Sequence, residues 1–177
     1  MQKLWMPVVA LAMAGPAAGQ QMDHGNMQPT AGVRGLYNTV KGYITKAAEQ
    51  MPEEHYSFQP TPEVRTFGQL VGHIANAGYM FCATAKGEES PSQQDIEKLT
   101  SKAELVAALN ASFTYCDGAY EIAGMKAMEP VKLFGQDHTR LSALEFNMGH
   151  DFEHYGNIVT YMRIKGLTPP SSQRAGN

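Results

Sequence analysis

This chain of 177 residues has two cysteines, one tryptophan and no block of lysine or arginine. Two cysteines cannot build a disulfide framework, and a chain this long buries enough surface to hold a core without a metal or a crosslink. Any metal or disulfide therefore needs its own argument. Charged residues make up only 18%, with 17 acidic against 14 basic side chains and a net charge of −3, so no basic field attracts a phosphate backbone. Nucleic acid is not an expected partner. No apolar run reaches the roughly 20 residues that a bilayer-spanning helix needs, so no permanent membrane anchor is expected. There is no internal repeat and no convincing strand alternation. What remains, 43% apolar, is the composition of one soluble globular domain.

The start is basic at Lys3, then uncharged from Leu4 to Ala14, then small at Gly15, Ala17, Ala18 and Gly19. This is the pattern of a cleavable signal peptide over residues 1–19, with cleavage near Gly19 and a periplasmic or secreted product. No cysteine follows the run, so lipid attachment is not expected. Losing Lys3 leaves 13 basic against 17 acidic residues, a net charge of −4, and losing Trp5 leaves no tryptophan. Residues 20–30 read as a flexible polar leader. Its Met22, Asp23, His24 and Met27 have the flavour of copper-handling tracts, against the plainer reading of a disordered leader.

From Ala31 onward, Val33, Leu36, Tyr37, Val40, Ile44, Ala47, Ala48 and Met51 recur at three- and four-residue steps, the spacing of one buried helical face. Pro52 ends that helix, and a proline-containing connection packed by Tyr56 and Phe58 follows. Thr66 with Gln69, and Ser101 with Glu104, are capping boxes that open a second helix ending near Lys86 and a third ending near Gly124. Residues 125–138 are irregular, with a short extended segment at Val131–Phe134, and Thr139 caps a fourth helix that stops at Gly166. Its apolar side is read as Leu141, Leu144, Met148, Phe152, Tyr155, Val159 and Met162. The expected fold is all-α, a four-helix bundle over residues 31–168 with a loose tail at 169–177.

His150 and His154 lie four residues apart on the fourth helix, about 40° apart around it and about 6 Å along it, so two imidazoles can chelate one ion. By itself this spacing also arises by chance. His73 sits mid-helix between the inward positions Leu70 and Ala77, where an unpartnered imidazole is costly, and three such histidines can satisfy one another through a cation. Three neutral imidazoles leave a coordination position open, as in catalytic sites, and accept Zn, Ni, Fe or Co. Water bound there becomes a nucleophile or base near neutral pH. One helical turn away lie Asn76 beside His73, and Asn147 and Tyr161 beside the other pair; Asn76 and Asn147 either orient an imidazole, bond the substrate, or join helices. Asp151 and Glu153 read as solvent-facing charges, and His55 and His138 as loop and cap residues outside the site. Cys82 and Cys116 form either a disulfide or two buried free thiols.

The stretch Arg65-Thr66-Phe67-Gly68-Gln69-Leu70-Val71-Gly72-His73-Ile74-Ala75 resembles the second-helix motif of the DinB/YfiT-like family. Gly149-His150-Asp151-Phe152-Glu153-His154-Tyr155-Gly156, through Tyr161-Met162-Arg163, resembles its fourth-helix motif, and Gln59-Pro60-Thr61-Pro62 fits as well. The resemblance spans residues 31–166 and implies a DinB-like four-helix bundle, a homodimer, and a divalent metal held by His73, His150 and His154. Some relatives are thiol transferases or isomerases using cytosolic thiol cofactors, which an exported chain would not meet. The expected function is a metal-dependent hydrolase or transferase acting on an unidentified small molecule. The alternative is a stress-response or binding bundle whose metal is structural or sensory. A pocket opening onto the site favours the first, and a sealed site the second.

Overall fold

The computed structural model describes residues 29–173. The expected signal peptide, its cleavage point and Met22, Asp23, His24 and Met27 lie outside them. Four helices, α1 (Pro29–Gln50), α2 (Phe67–Lys86), α3 (Lys102–Ala119) and α4 (Arg140–Ile164), carry the fold. The helix start lies two residues ahead of the expected Ala31. Helix α2 packs on α3 and α4, and α1 packs mainly on α4. Among the described residues no helix is long and apolar enough to cross a membrane.

The caps fall where the side chains allow them. Thr66 accepts from the Gln69 N–H while the Gln69 side chain accepts from the Thr66 N–H, closing the capping box of α2. Ser101 and Thr139 cap α3 and α4 through the N–H groups of Glu104 and Ser142. Helix α2 ends on Gly87 at φ 73°, a conformation costly for any residue with a Cβ.

Tyr37 and Tyr120 stack at 3.9 Å within a buried core that also contains Val40, Ile44, Leu109 and Leu144. The connection after α1 is tied down by Tyr56, whose hydroxyl donates to the Ala48 carbonyl at 2.6 Å, and by the Gly68 N–H donating to the Tyr56 carbonyl.

Several features depart from the sequence expectation. Helix α3 ends at Ala119, five residues short of the expected Gly124, and a 3₁₀ segment at Gly124–Met128 follows. The segment before α4 is an antiparallel hairpin, β1 (Pro130–Leu133) paired with β2 (Gln136–Thr139), in place of one short extended piece. Strand β2 reads Gln-Asp-His-Thr and offers no apolar alternation to announce it. Residues 169–173 are not loose: Pro170 is buried, the Ser171 N–H donates to the Tyr155 hydroxyl, and Gln173 bonds Gln50. The buried side of α4 is also rotated from the expected one. It runs through Leu144, Asn147, Asp151, His154, Tyr155, Ile158 and Tyr161, while Phe152 is exposed. Leu36 of α1 likewise faces outward.

Candidate metal centre

Helix α2 brings His73, and α4 brings His150 and His154, to one point between the two helices. Their ligand-capable nitrogens all lie within 4.8 Å of one another. The Nε2 atom of His150 is 3.2 Å from that of His73 and 3.0 Å from that of His154. Tetrahedral donors about 2.05 Å from one ion stand roughly 3.3 Å apart, so this spacing suits a shared cation.

The protonation pattern agrees. His73 Nδ1 lies 2.7 Å from Glu97 Oε1, and Glu97 Oε2 accepts from Arg65 Nε at 2.9 Å. Burial raises the Glu97 carboxyl, but bonds from Arg65 and His73 outweigh it and hold it below the usual carboxylate range. An ionised carboxylate only accepts, so His73 carries its proton on Nδ1 and turns the Nε2 lone pair toward the other rings. Burial, then the neighbouring rings His154 and His73, pushes His150 down to about 3. Burial also lowers His154, with His73 adding to the shift. His150 and His154, both lowered, are neutral at pH 7 and can offer ring nitrogens to a cation. His150 Nδ1 is buried with no hydrogen-bond partner among the described residues, a further mark of a site built for something besides packing. The cluster can therefore bind a metal ion.

Glu97 reaches His73 because of Gly72. A Cβ on Gly72 would stand 2.7 Å from the Ile96 carbonyl oxygen and 2.8 and 2.9 Å from the Glu97 Cα and N. Lacking one, the helix lets the one-turn 3₁₀ segment Ile96–Lys98 lie directly on it. Asn76 closes the contact from the next turn: its Oδ1 accepts from the Ile96 N–H at 3.2 Å and its Nδ2 donates to Asp95 at 3.3 Å. Asn76 thus fastens the connection and does not bond an imidazole.

The other expected supports divide. Tyr161 donates its hydroxyl to the Arg65 carbonyl at 2.7 Å and lines a groove of about 610 Å³ that also reaches Arg65, Glu97, His154 and Asn157. Asn147 stands away from the rings, donating to the Tyr120 hydroxyl at 3.0 Å. It is the helix-joining reading of Asn147 that the geometry gives. Asn157, one turn beyond His154, places its amide 3.4 Å from His154 Nδ1; the i+3 spacing would have singled it out. Glu153 is exposed as expected, and His55 and His138 are not part of the three-histidine cluster. Cys82 and Cys116 form a disulfide with Cα atoms 5.3 Å apart, joining α2 to α3.

Asp151 corrects the sequence reading. It is 1% exposed, its Oδ1 meets no partner, and only Asn147 Nδ2, at 3.4 Å, approaches its Oδ2. Burial raises its carboxyl well above the usual value. A carboxyl whose folded pKa exceeds its unfolded value of about 3.9 contributes stability that is present below pH 4 and lost as pH rises toward the folded value. Asp151→Asn, neutral at every pH, is expected to melt higher than the metal-free parent by a margin that grows between pH 5 and pH 8. The growth is up to about 1.4 kcal/mol per pH unit. Melting curves at the two pH values check this, and a constant margin would mean that Asp151 folds ionised.

A second cleft, of about 480 Å³, reaches His73 and His150 and is bounded by Met80, Phe81, Phe134 and Phe146. The three histidines thus border two clefts.

Compared with known proteins, residues 37–158 match the family model described as the DinB superfamily. The Bacillus subtilis (strain 168) protein YjoA is 27% identical over 136 residues, covering 72% of this chain and 85% of YjoA. A DinB-like protein from Bacillus cereus superposes with a TM-score of 0.69 at 20% identity, covering 78% of this chain and 94% of that one. The YjoA crystal structure does so with a TM-score of 0.64 at 22% identity, covering 81% and 99%. A conserved Enterococcus faecalis protein also gives 0.64, at 14% identity, covering 78% of this chain and 97% of that one.

Proposed function

This chain belongs to the DinB superfamily, and on that premise we propose that it is an exported metal-dependent hydrolase or transferase. Its divalent cation, Zn, Ni, Fe or Co, is held by His73, His150 and His154, and its substrate is a small molecule. The observation that carries this reading is the convergence of three Nε2 atoms at a point bordered by two clefts. A sealed centre would have favoured a structural or sensory ion instead. When bound, such a cation supplies Lewis acidity and lowers the pKa of coordinated water toward 7.

The chain's own residues do the rest. Glu97 fixes the tautomer and the plane of His73, and Arg65 holds Glu97 in that role. Burial keeps His150 and His154 unprotonated and ready as ligands at neutral pH. Arg65, Asn157 and Tyr161 give the larger groove a polar wall for the substrate's polar part. The Cys82–Cys116 disulfide supports export, because such bonds persist in oxidising compartments. Assembly as a homodimer rests on the family resemblance alone.

The test is metal content, by mass spectrometry, of protein purified without a polyhistidine tag, beside the His73→Ala/His150→Ala/His154→Ala variant. About one ion per chain in the parent and none in the variant supports the reading. No metal in the parent after reconstitution with all four candidates defeats it. Glu97→Ala is expected to weaken metal binding by about 10–100-fold, with Glu97→Gln retaining most of the affinity. Titration against a chelating indicator measures both, and unchanged affinity in Glu97→Ala would remove Glu97 from the site.

A further inference from the structure

The cleft bounded by α2, the tip of the β1–β2 hairpin and α4 differs sharply from the groove that reaches His154. Phe81 forms its floor, and Met80, Phe134 and Phe146 form its walls at 42, 64 and 46% exposure. The three phenylalanine rings meet one another edge-on or tilted at 5.0 to 5.9 Å, and Phe81 meets the His150 ring at 5.5 Å. The polar side chains that line it are His73, Asn76, Glu97 and His150. At about 480 Å³ it has the size and the composition of a small-molecule site: apolar walls and a few polar groups, among them two of the three clustered histidines.

The hairpin tip adds a second observation. Phe134 has φ 50° and Gly135 has φ 78°, so both central residues of the two-residue turn are left-handed. Glycine, asparagine and aspartate suit the first of those places, whereas a bulky ring there is disfavoured. The backbone gains nothing from phenylalanine at 134, yet its ring is held against Phe81 and Phe146. Leu133, buried with Ala77 and Phe81, pins the hairpin to α2 and so fixes where that ring stands. Strained backbone at a site edge is a sign of a side chain kept for what it contacts.

We propose that this cleft seats an aryl-sized apolar group of the substrate, with the reacting polar group directed at His73 and His150. The proposal rests on the metal-dependent reading above and narrows its substrate class to molecules carrying such a group.

Two hydroxamates share a metal-binding head and differ in the tail, so they isolate the cleft. Zinc-loaded protein is titrated calorimetrically with benzohydroxamic and acetohydroxamic acid, alongside Phe134→Gly/Phe146→Ala, whose helical content is checked by circular dichroism. Phe134→Gly keeps the turn geometry while removing the ring. The parent is expected to bind the benzo compound about tenfold or more tightly, as burial of a phenyl ring implies. In the variant the preference falls to about twofold while acetohydroxamate binding stays unchanged, so the intrinsic difference between the two heads cancels. Equal affinity for both in the parent, or a preference that survives in the variant, overturns the cleft and leaves the metal reading standing. Failure to take up zinc, nickel, iron or cobalt overturns both. A parent dimer that the same two substitutions dissociate, with no aryl preference, would assign the patch to a second copy of the chain and overturn the proposal as well.

Discussion

His150→Ala is expected to lower metal affinity by two orders of magnitude or more while leaving the helical content intact. A four-ligand zinc site is worth about 10–16 kcal/mol, or roughly 3 kcal/mol per ligand, which is more than a hundredfold in affinity. His150 is the central member of the three, since its Nε2 lies 3.2 and 3.0 Å from those of His73 and His154. Removing it leaves only two donors, His73 and His154, on different helices with their rings 4.8 Å apart. The fold does not depend on the same atoms. The His150 ring is partly buried, its Nδ1 is unpaired, and none of the stacked or hydrogen-bonded core around Tyr37 and Tyr120 runs through it. Metal titration and far-ultraviolet circular dichroism read the two halves separately. Retained affinity would show that the other nitrogens suffice, and lost helicity would show that His150 is a core residue.

The second large effect belongs to the disulfide. Cys82→Ala/Cys116→Ala is expected to lose about 4 kcal/mol of stability, the loop-closure entropy for a crosslink between residues 34 apart. For a domain of this size that corresponds to a melting temperature lower by roughly 10 °C. Thermal unfolding followed by circular dichroism measures it with and without reductant, and the reductant should have no effect on the variant. Because the bond joins α2 to α3 and the histidines lie on α2 and α4, metal affinity at 25 °C should barely move. A large fall in affinity would mean that α2 needs the crosslink to present His73 correctly.

Most of the helical framework was legible locally. Periodic apolar residues and the caps at Thr66, Ser101 and Thr139 are short-range features, and each of these helices starts where its cap pointed, although α3 stops at Ala119 and not near Gly124. The three histidines were legible for a similar reason, since two share a helix face and the third is an odd residue in an apolar stretch. The side of α4 was misread because hydrophobicity favours Met148, Phe152 and Val159, whereas the buried stripe includes Asn147, Asp151 and His154. A carboxyl buried with a raised pKa has no sequence signature, so Asp151 reads as a solvent charge. Glu97 was missed for a different reason. It lies 24 residues from His73 in an acidic connection, and only the contact of that connection with Gly72 brings the two together. The choice between a disulfide and two thiols also turned on a through-space distance that spacing in the chain does not contain.

The contact at Gly72 also bears on time. Ile96–Lys98 is a single turn, held to α2 by the buried Ile96 side chain, the close approach at Gly72, one Asn76 clamp and the bonds of Glu97 to His73 and Arg65. Opening one such segment costs less than unfolding the whole domain. Each opening would free the His73 ring to turn, so the residence time of an ion held there would follow the opening rate of this one turn. Affinity and lifetime would then be separable properties: the histidines would set how tightly the ion is held, and a glycine that never touches it would set how soon it leaves.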